Sequence, residues 1–115
     1  MNIISTITTA LASLALPAAV GLYEVPKGGS YPDAYIVITP LGERNDDIAD
    51  DKPLTETTGA DVNLYKRGDY QTTKDEMKSL LETAGFFIED RRYVAYEQDT
   101  KHHHYVITVE AKEVL

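Results

Sequence analysis

The sequence predicts a single α+β domain, residues 1–115: an antiparallel or mixed β-sheet with an N-terminal helix and a second helix packed on one face, ending in a β-hairpin. Three observations carry this reading. Two segments repeat apolar residues at the helical period, one at the start of the chain and one from about Thr73 to Ala84. Runs rich in β-branched and aromatic residues lie between and after them, bounded by Pro, Gly and polar clusters. The order is then helix, strands, helix, hairpin, without the alternating strand and helix rhythm that builds a doubly wound parallel sheet.

Ile3, Ile4, Ile7, Leu11 and Leu14 form one apolar stripe at helical spacing, with Ser and Thr largely on the other faces. The stretch from Ile3 to Val20 is apolar enough to invite comparison with a signal peptide, but its first basic residue is Lys27, so the positive leading region is missing. Ser5, Thr6, Thr8, Thr9 and Ser13 also interrupt the apolar run, and an amphipathic helix packing on a sheet accounts for the pattern better than a membrane span. Pro17 and Gly21 stop the period; Leu22-Tyr23-Glu24-Val25 before Pro26 reads as a short extended piece, and Lys27-Gly28-Gly29-Ser30 as a turn.

Tyr35-Ile36-Val37-Ile38-Thr39, between Pro32 and Pro40, is the clearest strand of the first half, and its continuous apolarity predicts burial on both faces. From Leu41 to Pro53 the chain turns polar and acidic with no surviving period, which predicts a surface loop. A strand follows from Thr55 to Lys66, starting nearer Thr57, with Val62 and Leu64 on one face and Asp61, Asn63 and Tyr65 on the other. Thr72 or Thr73 is the expected cap of the second helix, Thr73 with Glu76 fitting a capping box. Met77, Leu80, Leu81 and Ala84 form its stripe, and Gly85 stands where a left-handed cap wants glycine. Phe86 to Glu97 and His102 to Lys112 are two strands joined by Gln98-Asp99-Thr100-Lys101; Tyr105, Ile107 and Val109 share one face, Val106, Thr108 and Glu110 the other.

Composition narrows the function. The absence of cysteine removes disulfides, thiolate metal sites and cysteine nucleophiles. A net charge of −8 opposes affinity for a phosphate backbone, which comes from Lys and Arg displacing counterions. His102 and His104 would project from one side of a strand toward a common ion, but a third ligand is not evident, and an exposed polar strand end is the plainer reading. Asp46, Asp47, Asp50 and Asp51 offer hard oxygen ligands at spacings that do not match an EF-hand; a solvated loop, or one that meets a basic partner, is the simpler expectation. Gly28-Gly29 is not followed by the Lys-Ser or Lys-Thr of a phosphate loop, and no Gly-x-Ser-x-Gly elbow occurs. No catalytic, cofactor-binding or metal-ligating residue is therefore assigned, and no enzyme is expected. Tyrosine is over-used, eight against two Phe and no Trp, which suits surfaces wet in isolation and buried in a complex; Tyr93 and Tyr105 are candidates.

The amphipathic N-terminal helix, the Leu22-Tyr23-Glu24-Val25-Pro26 piece and the run Ser30-Tyr31-Pro32-Asp33-Ala34-Tyr35-Ile36-Val37-Ile38-Thr39-Pro40 are followed by a polar loop. The strand Asn63-Leu64-Tyr65-Lys66 then precedes the second helix. This order, with its Tyr-Pro-x-x-Tyr lead into the strand, resembles the tail terminator (tail completion) proteins of siphophages and related prophages over nearly the whole chain. The resemblance implies a structural virion protein that caps the tail tube, stops its polymerisation and joins the tail to the head connector as a hexameric ring. Its partners would be further copies of itself, the tail tube protein and the head-tail connector protein. DNA would pass through the lumen without specific binding, and no membrane or cofactor would take part. It would be made in the host cytoplasm and reside at the head-tail junction of the virion. The Glu43 to Asp51 loop would then face a partner ring or the lumen, where its charge repels passing DNA. Lys27 to Ser30, Glu43 to Lys52 and Gln98 to Lys101 are the expected contact loops. Two other readings remain open. One is a head-closure or minor capsid protein; the other, of a different class, is an acidic soluble inhibitor that mimics DNA, which the scatter of acidic residues along the chain disfavours.

Overall fold

The structure, a computed structural model, describes residues 2–49 and 52–115, without the side chains of Asp47, Ile48 and Pro53. Helix α1 (Ile3–Leu11) begins where the Asn2 side chain accepts the Ser5 N–H at 3.1 Å and runs into a 3-10 turn, Ala12–Leu14, ended by Ala15 in the left-handed region. Ile3, Ile7 and Leu11, one per turn, are its buried residues, and Ile4 and Leu14 pack at the margin.

Five strands form one mixed sheet in the order β1-β2-β3-β5-β4. They are β1 (Ala18–Val20), β2 (Ala34–Ala49), β3 (Lys52–Lys66), β4 (Phe87–Glu97) and β5 (His102–Val114). Only β1 and β2 are parallel, with Ala18 opposite Ile36. Leu22–Val25, read as a short extended piece, belongs to no strand, and the sheet gains instead a short strand at Ala18–Val20 that the sequence reading did not name. Ala19 and Val20 can pair with the buried centre of β2, whereas Pro26 and the glycines after it hold the later segment out of the ladder.

Helix α2 (Tyr70–Thr83) joins α1 on one face of the sheet. Met77 and Leu81 meet Ile3, Ile7 and Leu11 above Ile36, Ile38, Val62, Leu64, Tyr105, Ile107 and Val109, the residues whose alternation in β3 and β5 marked them as inward. The cap of α2 is Asp69, not Thr72 or Thr73. Its carboxylate accepts the N–H groups of Gln71 (3.0 Å) and Thr72 (3.3 Å), and the Thr72 hydroxyl donates back to it at 2.6 Å. An ionised oxygen one turn earlier satisfies the first N–H groups better than a threonine hydroxyl, so the helix starts at Tyr70. Gly85 ends it as expected, at φ +98°, with the Phe86 N–H reaching the Leu81 carbonyl at 3.1 Å.

The described part of the segment from Leu41 to Pro53, residues 41–49 and 52–53, expected as a loop, is instead strand, the outer half of a long antiparallel ladder. β2 and β3 stay paired from Ala34 opposite Lys66 to Ala49 opposite Lys52, with one bulge between Pro40 and Gly42. At ~3.3 Å per residue, a strand the length of β2 covers roughly 50 Å, close to the 56 Å long axis of the molecule. β5 runs beside β3 as far as Thr55 opposite Val114, so the projection is a three-stranded arm that passes beyond the helices. Its polar residues hide any period because they point to both faces. Cross-strand pairs hold it: the Thr57 hydroxyl donates to Asp46, and Arg44 bridges to Glu110 at 3.2 Å. Pro40 fits because β1 has already ended at Val20 opposite Ile38, leaving that side of β2 without a neighbour that needs its N–H.

Candidate functional site

The helices cover one face of the sheet and leave the other to a row of aromatic rings. Register sets the row: Tyr35 on β2 stands opposite Tyr65 on β3, which stands opposite His104 on β5. The Tyr35 and Tyr65 rings lie 4.7 Å apart and 6° from parallel, and Tyr65 stacks on His104 at 4.2 Å. Tyr31 and Tyr23, from the 21–33 connection, extend the row onto Tyr35 at 5.4 and 4.7 Å. These rings, with Gly21, Leu22 and Val37 at one end and Glu97, Asp99 and Thr100 at the other, line an open groove of about 410 Å³.

Two of the groove hydroxyls, those of Tyr35 and Tyr65, are disfavoured as anions. Burial, then the neighbouring Tyr65 and Tyr31 hydroxyls and the Glu97 carboxylate, push the Tyr35 hydroxyl up to about 12. Burial and Glu97 raise Tyr65 in the same direction. Arg67 is the cation that pulls Tyr35 the other way, and it is engaged: its Nε donates to the Thr100 carbonyl at 2.7 Å and its Nη1 pairs with Asp33 at 2.9 Å. The side chains of Glu97 and Asp99 have no hydrogen-bond or ion-pair partner among the described residues.

The three histidines, grouped in sequence, are committed to three separate places. His102 is 0% exposed, which overturns the expectation of an exposed polar strand end. Its Nε2–H donates to the Pro32 carbonyl at 2.8 Å while Tyr35 and Tyr31 meet its ring edge-on, so the connection ahead of β2 folds back as its lid. Nδ1 of His102 is buried and has no hydrogen-bond partner among the described residues. His104, on the same face, donates to the Asn63 side-chain oxygen at 2.8 Å, and burial lowers its basicity. His103 points to the helix face, where its Nδ1 and the Tyr93 hydroxyl share a hydrogen bond at 2.9 Å and its ring lies against Tyr70 and Tyr96. Among the described residues no group of three or more His, Asp or Glu converges as a metal ion would require.

Of the tyrosines singled out by composition, Tyr93 is exposed on β4, but Tyr105 is buried beneath α2 with the Lys74 ammonium 5.1 Å from its ring centre. Tyr105 is a core residue because its position on β5 shares the inward parity of Ile107 and Val109. The groove tyrosines were not separable from the other four by sequence; the signal that could have found them is the Tyr-Pro-x-x-Tyr spacing, which brings Tyr31 back over Tyr35. In the arm, Asp46 bonds Thr57 and lies 3.4 Å from Arg44, so this carboxylate is held by the sheet. Asp50 and Asp51, two of the four acids considered for calcium, lie outside the described residues, as does the Asp47 side chain. No protein-family model and no curated protein matches the chain.

Proposed function

We propose that this chain is a non-enzymatic structural subunit of a bacteriophage tail, closing into a ring that caps the tail tube and joins it to the head connector. The observation that carries the ring is the pair of apolar edges on opposite sides of one sheet. At the β4 edge, Phe87 (67% exposed), Tyr93, Val94 and Tyr96 face solvent; beyond β1, at the other edge, Val20 and Leu22 do the same. Two different apolar edges on one subunit favour head-to-tail contact, in which each copy offers one edge to its neighbour's other edge, and such contacts close into a ring where the rotation allows. The six-fold count comes from the resemblance to tail terminators alone. Bulges at Ile88/Asp90 and Tyr93/Ala95 in the β4–β5 pairing distort the edge strand, which disfavours uncontrolled strand addition and suits side-chain contact between copies.

The arm supports the same reading. It projects past the helices and carries Glu43, Asp46 and Glu56 beside its Arg44 and Lys52. An acidic projection fits a lumen through which DNA slides, or a basic patch on the next ring. The deciding experiment is native mass by light scattering at rising concentration, repeated on purified tail tubes if the free chain stays monomeric, with negative-stain imaging of both. A closed ring of about six copies, free or at the tube end, supports the proposal; a chain that neither closes nor occupies tube ends excludes it and returns the inhibitor reading to the front.

A further inference from the structure

The tyrosine groove has a composition the ring does not use. Aromatic faces attract cations through the negative charge above their rings, and a carboxylate beside them adds a paired contact for a guanidinium. Tyr23, Tyr31, Tyr35 and Tyr65 line the groove, and Glu97 and Asp99 stand at one end of it. The nearby Arg67 makes its hydrogen bonds with Thr100 and Asp33 and leaves the carboxylates of Glu97 and Asp99 without a direct contact to it. Alongside runs a length of backbone with unused capacity: among the described residues, no backbone N–H or C=O of Tyr23, Glu24 or Val25 is hydrogen-bonded.

We propose that this groove is a docking slot for an arginine side chain carried on an extended segment of a partner protein. The guanidinium stacks among the tyrosine rings and meets Glu97 and Asp99, while the segment's backbone runs along Tyr23–Val25. Arginine fits better than lysine because its planar head can stack and pair bidentately in one pose. A protein segment fits better than nucleic acid, since the carboxylates that attract a guanidinium repel a phosphate. The slot stands on the groove alone and needs neither ring closure nor a phage role, so it is testable on a monomer.

The test is a titration of the full chain with the peptide acetyl-Gly-Arg-Gly-amide, followed by amide and tyrosine-ring resonances, beside the same peptide with citrulline in place of arginine. Citrulline keeps the planar shape and removes the charge. The expected result is saturable shifts at Tyr23, Tyr31, Tyr35, Tyr65 and Glu97, with the citrulline peptide weaker by about tenfold. The double variant Glu97→Gln, Asp99→Asn, whose spectrum away from the groove should be unchanged because neither side chain has a hydrogen-bond or ion-pair partner among the described residues, should erase the difference between the two peptides. Equal binding of both peptides overturns the proposal. So does a shift pattern centred elsewhere, or the absence of any saturable shift at the groove. Concentration-dependent shifts at these residues without peptide would assign the groove to a second copy and overturn it equally.

Discussion

At the scale of single residues, burial on the open face favours the neutral hydroxyl at two of its tyrosines, Tyr35 and Tyr65. Tyr35 is favoured in its protonated form by the fold, with its folded value near 12 against 10 for a free tyrosine. The stability this contributes is complete below 10 and is lost as pH rises through 12, so the chain should lose stability progressively across that window. Tyrosinate absorbance followed to high pH should contain a late step that disappears in Tyr35→Phe. His104 works in the opposite sense. Its folded value is depressed below 6.5, so its contribution is present above 6.5 and is lost as pH falls through that depressed value; Asn63→Ala, which removes its acceptor, should alter the acid limb of a pH-stability profile. His102→Ala removes a buried ring and its bond to Pro32, and denaturant unfolding should show a loss of about 2–4 kcal/mol. The burial of His102 was not legible in the sequence. Its lid comes from Tyr31 and Pro32, far away along the chain, and a histidine at a strand start looks polar until that connection folds over it.

At the scale of elements, legibility followed hydrophobic period. The inward parity of Val62 and Leu64 on β3 and of Tyr105, Ile107 and Val109 on β5 could be read from alternation, because one face is packed and the other is not. The outer half of the β2–β3 ladder could not. Thr57, Asp46, Arg44 and Glu110 form its rungs from polar groups, and even the buried one, Thr57, is polar, so no apolar repeat marks it. The start of α2 was displaced by one turn for a related reason: Asp69 outcompetes the threonines that follow it, and Thr72 serves as the cap's own partner. Asp69→Ala should lower the melting temperature, and Asp69→Ser should restore much of it, since both Asp and Ser accept the first N–H groups. The docking of α2 rests on Leu81 and Met77, both without exposure, and Leu81→Ala should cost about 2–5 kcal/mol in denaturant unfolding.

At the scale of the whole molecule, the proposed assembly through the two apolar edges can be tested apart from folding. Val94 is exposed on β4, and Val94→Lys should leave monomer stability within about 0.5 kcal/mol of the parent. If the edges carry the ring, the same change should shift native mass from ring to monomer, and Leu22→Lys at the other edge should do likewise. Mixing the two variants should give no more than dimers, since each retains one working edge. Reversing the charge of Asp46, Asp47, Asp50 and Asp51 should impair tail joining or DNA ejection if the arm faces a partner or the lumen.

The arm also has a mechanical character. β3 and β5 pass without a break from the projection into the sheet beneath the helices, and β2 accompanies them with one bulge. A pull directed along the arm therefore loads many cross-strand hydrogen bonds side by side, in shear, and no single rung can fail first. A pull that splays the tip would open the ladder one pair at a time. The projection behaves as a stiff lever toward axial load and as a zipper toward lateral load, and the direction of force decides which of the two a neighbour would feel.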